Sequence, residues 1–252
     1  MINADAPTPS VHRDPLEVAA GELSERHRVT TQAPLPVAIW AHIGAVRIWL
    51  SDARLACADP PSNASKAAEW LLDNDHHIER TLRRVAADLP SAFYRRLPAL
   101  AGPEQAGLPR AFALAHALLR ASYLQLSLAA TVRFMLAYQE RAPLTIAELW
   151  ALPTMLRLAC LETLVAAFAR LIPELKPPFD LSPWAAAPAV LEDAECVARS
   201  IANLAMLSSI PWKDFFDQTS RVEAILRTDP AGFYPQLDFA TRDKYREAIE
   251  EL

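Results

Sequence analysis

Apolar side chains recur along this chain at three- and four-residue spacings, the period of helices with one buried face. From Ser62 to Leu89 the positions Leu71, Ile78, Leu82, Val85 and Leu89 make one such stripe, and Pro90 marks its end. An earlier helix is expected from Val37 to about Ala56, closed by Asp59-Pro60-Pro61. Residues 91–109 are punctuated by proline and glycine and read as a connection. Helices then follow over Arg110–Ala121 and about Ser127–Arg141.

Thr145-Ile146-Ala147-Glu148 has the pattern of a capping box, in which Thr and Glu side chains satisfy the free amides of a helix start. From there to Ile172 the sequence is apolar on nearly every face, the mark of a central helix. Pro153 lacks an N–H and crowds the carbonyl of Leu149, so a kink or break is expected there. Pro173–Pro188 is a proline-rich connector and the best sub-boundary within residues 37–252. Helices are expected at 189–208 and 212–228, then a turn at Asp229-Pro230-Ala231-Gly232 and a last helix opening near Phe239 or Thr241. Residues 1–36 lack sustained periodicity and read as a flexible tail. The ending, Tyr245 to Leu252, stops in helical pattern with acidic residues that oppose the helix dipole, and it reads as cut from a longer chain. The expectation is an all-α bundle of seven or eight helices.

Composition narrows this further. Of 252 residues, 52% are hydrophobic, enough for a packed core, and 5 Gly stand against 21 Pro. So few glycines leave no cluster for a dinucleotide fingerprint or a phosphate loop. A net charge of -5 disfavours nucleic acid as a partner. Cys57, Cys160 and Cys196 are far apart and contain no CxxC pair, which fits a reducing compartment. No secretory signal is visible at the N-terminus. Val37–Leu50 is too short to span a membrane, and Ala151–Ile172 is interrupted by Arg157, Glu162 and Arg170.

The densest polar cluster is Asp73-Asn74-Asp75-His76-His77-Ile78-Glu79. On one continuous helix Asp73 and His77 share a face, as do Asp75 and Glu79. A metal would need further ligands from another helix, so a solvated helix face is preferred and no metal site is assigned. His116 lies in an apolar setting and reads as a hydrogen-bonded core residue; Cys160 reads as a small hydrophobe. Arg80, Arg83, Arg84, Arg95 and Arg96 form a basic cluster suited either to solvent or to an anionic membrane surface. Glu148, Arg157 and Glu162 sit on the apolar helix and read as structural buried charges. Arg157 and Glu162 are separated by roughly 140° of rotation and are expected to reach different neighbouring helices.

Three stretches together resemble the N-terminal region of bacterial cyclic β-1,2-glucan synthases. One is Trp70-Leu71-Leu72-Asp73-Asn74 through Ile78-Glu79, with Asp88-Leu89-Pro90 and Tyr94-Arg95-Arg96-Leu97-Pro98. Another joins Leu108-Pro109-Arg110, Tyr138-Gln139, Pro143 to Ala151 and Met155-Leu156-Arg157-Leu158. The last runs from Trp212-Lys213-Asp214-Phe215-Phe216 through Asp229-Pro230-Ala231-Gly232 to Asp238–Arg246.

The resemblance implies a non-catalytic helical module at the cytoplasmic face of the inner membrane. Its partner would be a downstream membrane glycosyltransferase domain in the same polypeptide, which draws glucose from UDP-glucose; an anionic membrane surface or glucan are further partners. No cofactor and no catalytic residue is assigned to this segment. The candidates for ligand or interdomain contact are Trp70, Tyr94, Arg110, Arg242 and Tyr245. A glucan- or nucleotide-sugar-binding module is the alternative, with Trp150, Trp212 and Tyr234 added to that set, since aromatic faces stack on sugars. An independent metal-dependent enzyme built on Asp73, Asp75, His77 and Glu79 ranks last.

Overall fold

Asp14 accepts a hydrogen bond from the Leu16 amide and Pro15 takes the first helical position, so a helix, α1 (Pro15–Arg26), starts where a flexible tail was expected. The computed structural model describes residues 14–102, 105–185, 188 and 190–250; residues 1–13 of that expected tail and the last two residues of the chain lie outside them. Beyond α1 the short strand β1 (Val29–Thr30) pairs antiparallel with β2 (Ala99–Leu100), with Val29 opposite Leu100 and Thr30 opposite Ala99. Tyr94 fastens the next segment. Its hydroxyl donates to the Leu35 carbonyl at 2.5 Å and accepts from the Val37 amide at 3.1 Å, and its ring stacks on Trp40.

Two expected helices are each split in the same way. The first becomes α2 (Ala38–Ala41) and α3 (Ile43–Ala56), the second α4 (Ser65–Asp73) and α5 (Asp75–Asp88). The break residues, His42 and Asn74, have non-helical backbone angles, and their side chains turn back onto the carbonyls of Ala38 and Trp70. Such local side-chain bonds compete with the helical ladder. The stripe Leu71, Ile78, Leu82, Val85 and Leu89 is nevertheless buried along both pieces.

The remaining helices are α6 (Ser91–Tyr94), α7 (Arg110–Ala121), α8 (Leu128–Gln139), α9 (Ile146–Leu171), α10 (Asp193–Met206), α11 (Trp212–Thr219), α12 (Arg221–Leu226) and α13 (Phe239–Glu250). The fold is thus all-α, with 13 helices among the described residues, ten of them of seven residues or more, against the seven or eight expected. A third split adds to the count: Ser220 leaves helical geometry between α11 and α12, and its hydroxyl caps α12 at the Glu223 amide.

Helix α9 is the hub. Its capping box closes in both directions between Thr145 and Glu148. It runs through Pro153 without the expected break. The helix is enclosed by α7, α10, α5, α11, α2 and α13, and this packing keeps the backbone helical where the proline removes one bond. By length and composition α9 could cross a membrane, yet every residue of its most apolar window lies inside the bundle. The connector after it joins α9 to α10, and these two helices pack against each other in one core.

Helix α1 lies on α8 and α7, and His27 at its exit fixes the docking through a 2.9 Å hydrogen bond between Nδ1 and the buried Tyr138 hydroxyl. Burial, with the charges of Arg110 and Arg26, pulls the His27 imidazole down to about 4. The ring therefore stays neutral in the fold while the unfolded chain binds a proton near pH 6.5. Stability falls as pH drops from about 6.5 towards 4, by about 2 kcal/mol between pH 7 and pH 5. His27→Gln should flatten that dependence in denaturant melts; an identical slope in both proteins would refute the assignment.

Candidate functional site

Where α5 and α6 meet the first half of α9 and the start of α11, their side chains leave an open cavity of about 460 Å³. Phe93, Trp150 and Trp212 supply aromatic walls, all three half-buried, and Pro90 and Pro153 add rigid apolar surface. The polar groups are Arg84, Asp88, Thr154 and Arg157. The volume falls in the range of small-molecule sites, and so does the mixture of apolar walls with a few charged groups. The Trp212 indole N–H is already committed to the Leu207 carbonyl at 3.2 Å, so Trp212 presents an apolar surface.

Three charged residues of α9 are buried, and each meets a different neighbour. Glu148 receives a bidentate pair from Arg110 at the start of α7, Nε to Oε1 at 2.6 Å and Nη2 to Oε2 at 2.5 Å. Glu162 accepts from His116 Nε2 at 2.9 Å and from the Ser182 amide at 2.8 Å. Burial works to raise the Glu162 carboxyl, but His116 and Ser182 outweigh it and hold it below its ordinary range. An ionised carboxylate only accepts, so His116 carries its proton on Nε2. Arg157 donates to the Leu207 carbonyl at 3.1 Å, and its nearest carboxylate, Asp88, stands 3.9 Å away.

Behind the cavity lies a cluster that the sequence did not single out. Glu223 on α12 has its side chain fully enclosed. It accepts from Tyr234 at 2.7 Å, Arg246 at 2.6 Å and Arg227 at 2.8 Å, and from Arg242. Asp217 and Asp243 supply the remaining negative charge, so three guanidinium groups face three carboxylates. Arg246 also lies over the rings of Phe216 and Phe239, 4.5 and 4.7 Å from their centroids. Phe216 in turn stacks on Trp150 at 4.9 Å, so the charge cluster backs one wall of the cavity.

The residues singled out for contact are dispersed. Tyr94 and Arg110 are buried and engaged with Leu35, Val37 and Glu148. Arg242 belongs to the Glu223 cluster, as does Tyr234 from the wider set. Trp70 on α4 is 37% exposed and Tyr245 on α13 is 54% exposed. Of that wider set the fold brings Trp150 and Trp212 to one cavity. Asp73 and His77 now belong to separate helices, which removes the shared face expected of them, while Asp75 and Glu79 both bind Arg54, at 2.5 and 2.8 Å. Phe93, Glu223 and Asp217 were missed. Phe93 sits in a connection without periodicity, and the two acids look like surface charges until α13 folds over them.

No family model matches the chain. A 113-residue segment is 38% identical to the cyclic β-(1,2)-glucan synthase NdvB of Rhizobium meliloti, covering 44% of this chain and 4% of that protein. The chain is therefore related to part of a glucan synthase and spans a small fraction of its length.

Burial tends to raise the Glu223 carboxyl, but hydrogen bonds from Tyr234, Arg246 and Arg227 and the charge of Arg242 prevail and hold it at about 2. A depressed carboxylate stabilises the fold above its unfolded value near 4.5, and that contribution disappears as pH falls towards 2. Glu223→Gln should cost about 3 kcal/mol at pH 7, because it strands buried guanidinium charge. The gap between variant and wild type should narrow as melts are run from pH 4.5 down to pH 2. A gap independent of pH would sink this account.

Proposed function

We propose that the chain is a non-catalytic accessory module of a glucan-synthesising membrane glycosyltransferase, packed against its transferase domain at the cytoplasmic face of the inner membrane. The observation that carries the reading is the 38% identity to part of the Rhizobium meliloti cyclic glucan synthase. In this role the transferase domain draws on UDP-glucose, and the helical module holds no cofactor of its own.

The disposition of charge supports a scaffold. Buried Glu148, Glu162 and Glu223 are each tied down by two or more internal donors, which leaves them little freedom to exchange protons with a substrate. The exposed face of α13 supports a docking role. Tyr245 and Ile249 lie one turn apart and face solvent, while Arg246 on the same helix is buried in the Glu223 cluster. Phe233, next in sequence to the Tyr234 that pairs edge-on with Tyr245, is a third exposed apolar side chain. Such apolar groups together suit a protein–protein contact.

Tyr245→Ser combined with Ile249→Ser should alter the stability of the isolated chain by only about 0.5 kcal/mol. The same pair should sharply reduce its association with membranes that carry the transferase domain. The isolated chain, incubated with labelled UDP-glucose, should form no glucosyl product. Glucosyl transfer by the chain alone, or undiminished association of the double variant, would overturn the reading.

A further inference from the structure

Among the described residues three arginines are buried, Arg110, Arg157 and Arg246, and two of them hold a carboxylate within hydrogen-bond reach. Arg110 has the bidentate Glu148, and Arg246 has Glu223 at 2.6 Å and Asp243 at 2.9 Å. Arg157 differs. It is 2% exposed and carries five N–H donors, of which one is bonded, to the Leu207 carbonyl. Asp88 at 3.9 Å is beyond hydrogen-bond reach, and the same Oδ2 already accepts from Arg84 at 3.2 Å.

The charge balance agrees. Desolvation pulls the Arg157 guanidinium down to about 10, Arg84 adds to that pull, and Asp88 only partly opposes it, whereas Arg110 and Arg246 are held above their ordinary value. A buried guanidinium whose one counter-anion is shared and lies beyond hydrogen-bond reach is costly. Arg157 forms part of the cavity wall with Arg84, so two positive charges meet the single negative charge of Asp88. Arg80 and Arg83 on α5, and Arg95 and Arg96 just after α6, are exposed as well. The other walls are Trp150, Trp212 and Phe93.

We propose that the cavity between α5, α6, α9 and α11 binds a small organic anion, a carboxylate or phosphate monoester on a flat apolar body. Arg157 and Arg84 take the anionic group, and Trp150 and Trp212 bound the space for the body. A guanidinium fork matches the paired oxygens of either anion. A neutral ligand would leave Arg157 uncompensated, and a cation would add to the excess positive charge. The site is independent of the accessory role, which rests on the relative and on the exposed face of α13.

The test is tryptophan-fluorescence titration and thermal melting of the full chain with phenyl phosphate, benzoate and the uncharged benzyl alcohol. At least one of the two anions should bind saturably below about 10 mM and raise the melting temperature, with benzyl alcohol at least about tenfold weaker. Arg84→Gln, an exposed position that should not disturb folding, should weaken the anion about threefold and reduce its salt dependence. Arg157→Lys keeps the charge but loses the fork and should weaken it about tenfold. Binding of the neutral probe as tightly as the anions would overturn the proposal, and so would an unchanged affinity in both variants. Failure of the wild-type chain to bind either anion by about 10 mM would overturn it as well.

Discussion

A charge on a helix enclosed by protein is costly unless neighbours supply hydrogen bonds or an opposite charge, and α9 keeps three, two of them answered in full. That requirement fixes where the surrounding elements go. Glu148 draws the start of α7 to the start of α9 through Arg110, and Glu162 draws the middle of α7 and the connector at Ser182 to its far half. The two contacts hold α7 along α9 at points fourteen residues apart on α9, so register and direction are set together. Apolar packing alone would specify that register weakly, because Leu, Ala and Val faces slide past one another at small cost. Breaking either pair would leave a buried charge uncompensated, which is more costly than losing a hydrophobic contact.

The same logic organises the end of the chain. Helices α11, α12 and α13 are short and offer little apolar surface each, yet Glu223 gathers donors from α12, α13 and the turn at Tyr234 around one carboxylate. Arg246 carries the effect inward, since its guanidinium covers Phe216 and Phe216 supports Trp150. A surface-derived charge cluster thus positions an aromatic wall of the cavity. The distant acid and the indole belong to one packed unit, so a change at either is felt by the other.

How much of this was legible depends on whether the cause is local. The capping box at Thr145–Glu148, the apolar α9 and the stripe from Leu71 to Leu89 are local patterns, and they emerge as read. The breaks at His42 and Asn74 rest on a side chain choosing its own i−4 carbonyl, a choice that composition and period do not register. Helix α1 did announce itself, through Asp14 followed by Pro15 with Glu17 in the first turn, but its buried stripe of Leu16, Ala20 and Ser24 is too small to stand out by periodicity. Trp150 and Trp212 were visible as aromatics worth watching, while their meeting beside Phe93 and Arg157 depends on four elements distant in sequence. Glu223 is the clearest case of a role invisible in one dimension: its partners lie between four and twenty-three residues away.

Arg157 contrasts with the three buried glutamates. The fold solves the buried-charge problem completely at Glu148, Glu162 and Glu223, so it has the means to do so, yet beside the cavity it leaves four N–H donors of a guanidinium without a hydrogen bond. A shift of Asp88 by about 1 Å would close the gap. Asp88 is instead held by Arg84, and the rigid rings of Pro90 and Pro153 flank the opening. An unmet requirement facing an open cavity is the pattern of a receiving site, because the energy that internal pairing would release is then available to whatever anion enters.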